Sequence, residues 1–123
     1  MRHVALLIET SRAYGRGLLE GIARFKRELG NWLTYCRPHG LGEPPPLWLK
    51  RWRGDGVLVR IAHQEMEKTV ARLGIPVVNL RGTGGRFPTV GLNEHEVARL
   101  AAEHLLGCGL RHFGFCGYHR GYS

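Results

Sequence analysis

Short apolar runs alternate along the chain with segments of helical periodicity, and within each run the apolar residues stand together instead of every second position. Val4-Ala5-Leu6-Leu7-Ile8 is the clearest, and Leu33–Cys36, Val57–Ile61 and Pro76–Leu80 follow the same plan. A strand with apolar side chains on both faces needs cover on both faces, which a parallel sheet between helical layers supplies. The expected fold is therefore α/β, an open, mostly parallel sheet with helices on both faces.

The intervening segments fit this reading. A helix starting near Gly17 carries Leu18, Ile22, Phe25 and Leu29 at three-to-four spacing, with Arg24, Lys26, Arg27 and Glu28 largely opposite and Gly30-Asn31 as its stop. Three successive prolines, Pro44 to Pro46, forbid regular pairing before a short helix with Trp48 and Trp52 on one face. Gly54-Asp55-Gly56 turns the chain into the third strand. A helix over His63–Leu73 turns Met66, Val70 and Leu73 inward and closes at Gly74. Arg81 to Gly85 reads as a flexible loop and Thr89–Leu92 as a brief extended segment. Asn93 is placed as the N-cap of a helix over Glu94–Leu106, with Glu94 and Glu96 on the favourable side of its dipole and Val97, Leu100, Ala101 and Leu105 buried. His112–Cys116 is expected as a final strand.

A chain of 123 residues suffices for an ordinary domain core. No apolar signal segment follows Met1 and no run is long enough to span a bilayer, so the expectation is a cytoplasmic protein without a membrane partner. Its three cysteines, an odd number at irregular spacing, point to reduced, buried thiols and away from a disulfide framework. The formal net charge is +8, yet Arg and Lys are scattered through every segment, which reads as a solvated surface and not as a nucleic-acid-binding helix.

The segment Glu9-Thr10-Ser11-Arg12-Ala13-Tyr14-Gly15-Arg16 joins the first strand to the first helix, and loops at strand carboxyl ends of open α/β sheets converge on the ligand crevice. Gly15, Gly17 and Gly21 resemble a dinucleotide-binding fingerprint. Their spacing is off by one, they lie too far beyond Ile8, and no acidic residue ends the second strand, so helix-start and packing glycines are the better reading. A phosphoacceptor domain needs an aspartate at the end of its third strand. Asp55 instead precedes that strand, and Arg60 sits near its end. Cys108, His112, Cys116 and His119 lack the spacing of a zinc knuckle, so no metal and no cofactor are expected. Pairings such as Ser11 with His39, or Glu9 with His63, have nothing to orient them as catalysis requires, so no enzymatic activity is expected. Tyr14 offers an apolar ring with a polar tip, suited to the face of a sugar whose hydroxyls Glu9, Ser11, Arg12 and Arg16 can bond. Packing of Tyr14 on the first helix is the equal alternative.

Taken in order, several pieces carry a resemblance: Arg12-Ala13-Tyr14-x-Arg16 with Glu20-Gly21, Trp52-x-Gly54-Asp55-Gly56-Val57, and Ile75-Pro76-Val77-Val78. Val97, Ala101, His104-Leu105, Gly109 and Phe113-x-Phe115-x-Gly117 continue it. The chain resembles the periplasmic-binding-protein-like ligand domains of bacterial sugar-responsive transcription regulators, most closely the xylose operon regulators. The resemblance implies two lobes with a small sugar effector, a pentose, between them. The first lobe would run from residue 1 to 92, and residues 93–123 would form the hinge crossing and the start of a second lobe. Arg12 and Tyr14 match positions that face the ligand, and Arg81 lies where the loop after the fourth strand reaches the cleft. At the hinge, Asn93-Glu94 stands where relatives often carry an Asp-Asn ligand-contacting pair, so either the effector differs or that contact is rebuilt. By the same resemblance the chain is an N-terminal fragment whose operator DNA is bound by a domain beyond Ser123. Apolar faces left by an incomplete second lobe predict a homodimer. A transport-type sugar receptor and a nucleotide-dependent α/β enzyme are the rival readings.

Overall fold

A computed structural model of the chain describes residues 1–82 and 85–117. Thr83 and Gly84 of the expected flexible loop, and His119 of the cysteine-histidine set, lie outside the described residues. The chain divides into two compact units, Met1–Val90 and Gly91–Ser123.

The first unit holds β1 (Arg2–Leu7), α1 (Ala13–Glu28), β2 (Trp32–Cys36), a 3-10 helix (Leu47–Arg51), β3 (Gly56–Val59), α2 (Gln64–Ala71) and β4 (Val77–Asn79). All four strands run parallel in the order β2-β1-β3-β4. The arrangement is α/β, as expected, and compatible with a partial fold of the periplasmic-binding-protein type.

The consecutive apolar residues of β1 explain the layering. Val4, Leu6 and Ile8 point to one face, where Leu80 is buried with them and Leu18, Leu19 and Ile22 of α1 pack. Ala5 and Leu7 point to the other, into a cluster with Leu49, Val57, Val59, Met66, Val70 and Val77. Strand side chains alternate faces, so a run that is apolar throughout can be satisfied only by a core on each side. Leu49 is fully buried, which pins the 3-10 helix against the sheet although three prolines precede it. Beside it Tyr35, Trp48 and Trp52 form an edge-packed aromatic group, with Trp48 and Trp52 ring centroids 6.0 Å apart.

Asp55 has a structural role. Its carboxylate accepts the His3 amide at 2.7 Å while its own amide donates to the His3 carbonyl, tying the turn before β3 to the start of β1. Gly74 closes the helical segment with φ +67°, a conformation that favours glycine. His63 caps α2, its Nδ1 accepting the Met66 amide.

In the second unit, α3 (Glu94–Gly107) starts where expected, with Asn93 Oδ1 accepting the Glu96 amide at 3.1 Å. Gly109, at φ +84°, follows the helix.

Several expectations are corrected. Residues His112–Cys116 form no strand, and Val97, Leu100, Ala101 and Leu105 are exposed, not buried. An amphipathic helix buries its apolar stripe only against another layer, and α3 is the sole regular element among the described residues of its unit. Cys36, Cys108 and Cys116 are free but exposed, the last two because their segment lacks that layer. Gly30 donates to the Phe25 carbonyl at the end of α1, but without the left-handed conformation expected of a glycine stop. Helix α1 starts four residues earlier than the glycines implied, a difference with consequences for the site.

Candidate functional site

From β1 the chain moves through α1 to β2 on one side, then crosses back to place β3 on the other side of β1. The connection after β1 therefore leads to one face of the sheet and the connection after β3 to the other. Between their carboxyl ends lies the topological switch point, where open α/β sheets leave a crevice. Glu9 and Arg60 stand at this point, each just beyond its strand.

The Glu9 side chain is fully buried, and Arg60 Nη1 donates to its Oε1. Arg60 also lies over the Tyr14 ring, its Cζ 4.5 Å from the centroid, so one guanidinium is shared between a carboxylate and an aromatic face. Glu9 Oε2 and Arg60 Nε are buried without a hydrogen-bond partner. Unpartnered buried polar atoms carry a desolvation cost.

Gly15 explains how α1 reaches this point. A Cβ at Gly15 would overlap the Glu9 carbonyl oxygen and crowd its side chain. Close approach of the first helical turn to the end of β1 is thus the role of this glycine, not phosphate binding and not a loop conformation. With α1 starting at Ala13, the connection shortens and Tyr14 becomes a residue of the first helical turn, 40% exposed as a residue.

The fourth strand contributes the opposite wall. Asn79 Oδ1 accepts the amides of Ile61 at 3.2 Å and Arg81 at 3.1 Å, joining the connections after β3 and β4. Arg81 Nη1 donates to the Ile61 carbonyl at 3.3 Å. Burial, with the positive charges of Arg60 and Arg12, pushes the Arg81 pKa down from its ordinary value, and Glu9 opposes them. Replacing Asn79 by Ala strands two amides at once, and an expected loss of about 2 kcal/mol in chemical denaturation checks that bridge.

The residues singled out from the sequence are thus distributed. Tyr14 and Arg81 flank the Glu9–Arg60 pair, and the charge of Arg12 reaches Arg81. Ser11 is exposed on the connection after β1, and Arg16 Nη1 reaches back to the Thr10 carbonyl at 3.5 Å. Asn93 belongs to the second unit, where its side chain caps α3. Arg60 and Asn79 were not singled out as site residues, though a lone arginine ending an apolar strand and an asparagine ending another were the available signals. Among the described residues, no three His, Cys, Asp or Glu side chains gather as a metal site would require, and no helix is long and apolar enough to cross a membrane.

The chain is similar to xylose operon regulatory proteins of Escherichia coli, those of strains K12, O6:H1 and O157:H7 each being 24% identical to it over 124 residues. The alignment covers 94% of this chain and 31% of each relative, so the chain spans about a third of their length. No family model and no solved structure matches.

Proposed function

We propose that this chain is the effector-sensing part of a DNA-binding transcription regulator, with a small sugar bound at the crevice between β1 and β3. The observation that carries the reading is similarity along 94% of the chain to the xylose operon regulatory proteins. The arrangement of Glu9, Tyr14, Arg60 and Arg81 at the switch point supports it, because a sugar uses an aromatic face together with charged and polar groups. A pentose is the effector class, Ser11, Arg12, Arg16 and Asn93 join the contacts, and binding acts by closing two lobes and so shifting the population of the DNA-competent state. DNA binding, dimerisation and a cytoplasmic location are proposed for the whole protein, not for these residues alone. No chemistry on the ligand is part of the reading.

Calorimetric titration of the intact protein with a pentose panel and with dinucleotides tests it. Binding of a pentose is expected, and dinucleotide binding with no sugar response would overturn the proposal. Tyr14→Ala should weaken the sugar by about 1 kcal/mol if the ring stacks on it, and unchanged affinity would reduce Tyr14 to its contact with Arg60.

A further inference from the structure

Three connections at the carboxyl end of the sheet are tied to one another, and one tie runs through a titratable ring. The connection after β2, residues 37–46, accepts the Thr10 amide of the connection after β1 on its His39 carbonyl at 3.0 Å. Farther along, its Glu43 carbonyl lies 2.9 Å from Nε2 of His63, which ends the connection after β3. The other nitrogen of the same ring, Nδ1, accepts the Met66 amide at 3.3 Å and so caps α2.

These two partners fix where the proton sits. A carbonyl oxygen only accepts, so Nε2 carries hydrogen; an amide N–H only donates, so Nδ1 carries none. His63 is therefore a neutral ring in the Nε2–H tautomer. Protonation puts a hydrogen on Nδ1 against the Met66 N–H, and the cap has no acceptor left. The first bond within the helix runs from the Glu67 amide to the His63 carbonyl, so the Met66 amide has no carbonyl to turn to. The new charge also sits at the positive end of the helix dipole, tempered by Glu65 and Glu67 in the first turn.

The other charged groups on the elements around His63 have partners of their own. Arg60 is paired with Glu9, Arg81 is held on the Ile61 carbonyl, and the Glu43 carboxylate faces His39 Nδ1 at 3.6 Å. Protonation of His39 strengthens its pair with Glu43. Acid thus tightens the connection after β2 upon itself while undoing the cap beside it.

We infer that His63 is a pH-sensitive latch: as a neutral ring it joins the connection after β2 to a capped α2, and on protonation it gives up the cap and frays the first turn of that helix. The cap is present above the pH at which His63 titrates and lost below it. This holds whatever the crevice binds.

NMR on the intact protein tests the latch, with ring-nitrogen shifts reporting the tautomer and protonation of His63 and amide exchange, corrected for its intrinsic pH dependence, reporting the cap. The Nε2–H tautomer is expected above the titration, and protection of the Met66 amide should fall about fivefold across it. His63→Asn, a good cap that does not titrate, should keep one level of protection over the same range, and His39→Gln should leave the original loss in place. An Nδ1–H tautomer, a ring that stays neutral until the protein unfolds, or Met66 protection that is unchanged while the ring protonates would overturn the inference. So would the same loss in His63→Asn, or its disappearance in His39→Gln, which would assign the response to other groups.

Discussion

Replacing Arg60 by Met is expected to destabilise the first unit by about 3–5 kcal/mol, read from urea denaturation of the single variant beside Glu9→Gln and the double variant. The Glu9 side chain has no exposed surface and that of Arg60 is 13% exposed, so removing the cation leaves a carboxylate in the interior with nothing to balance it. The double variant, with a neutral amide beside an apolar side chain, should recover part of the loss. Additive losses would contradict direct coupling of the two side chains. The pair is costly to break, although well-packed apolar residues often replace such a pair without loss. Keeping it in a buried position fixes the Arg60 guanidinium over Tyr14, beyond the carboxyl ends of β1 and β3.

Gly15→Ala should cost about 3 kcal/mol in the same measurement, because the new methyl group meets the Glu9 carbonyl oxygen, a backbone atom that cannot swing aside. The comparison with Gly17→Ala makes the test sharp. A Cβ at Gly17 meets nothing within 4 Å, and alanine is the better helix former, so that variant should gain about 0.5–1 kcal/mol. Opposite signs for two glycines two residues apart follow only if α1 already runs through both and approaches the end of β1 at the first. Similar small losses for both would restore a loop reading of this segment.

Much of the fold was legible because strand burial leaves a direct mark. Residues Val4 to Ile8 had to be covered on both faces, and they are, by α1 on one side and by α2 with the 3-10 helix on the other. The Asn93 cap and the Gly74 stop were equally legible, since each rests on local backbone chemistry. What failed was whatever depended on distant chain. The start of α1 was misplaced because glycine in a sequence signals freedom of the backbone, whereas Gly15 serves contact with a carbonyl that only the fold brings near. The apolar stripe of α3 and the run His112–Cys116 promise a layer, and a stripe in a sequence does not say what will cover it. At the candidate site, the structure sets two residues that the sequence had offered as ligand contacts, Tyr14 against Arg60 and Arg81 against the Ile61 carbonyl. Arg60 and Asn79 escaped because their roles come from partners 51 and 18 residues away in the chain.

Backbone hydrogen exchange on the intact protein, with and without the tightest-binding sugar probe, tests most directly that the crevice is the effector site. The account predicts slowed exchange over residues 9–16, 60–63 and 79–82, with the turn at Gly54-Asp55-Gly56, on the amino-terminal side of the sheet, unchanged. Slowed exchange confined to that turn or to other segments, with residues 9–16 and 60–63 unaffected by a bound sugar, would contradict it.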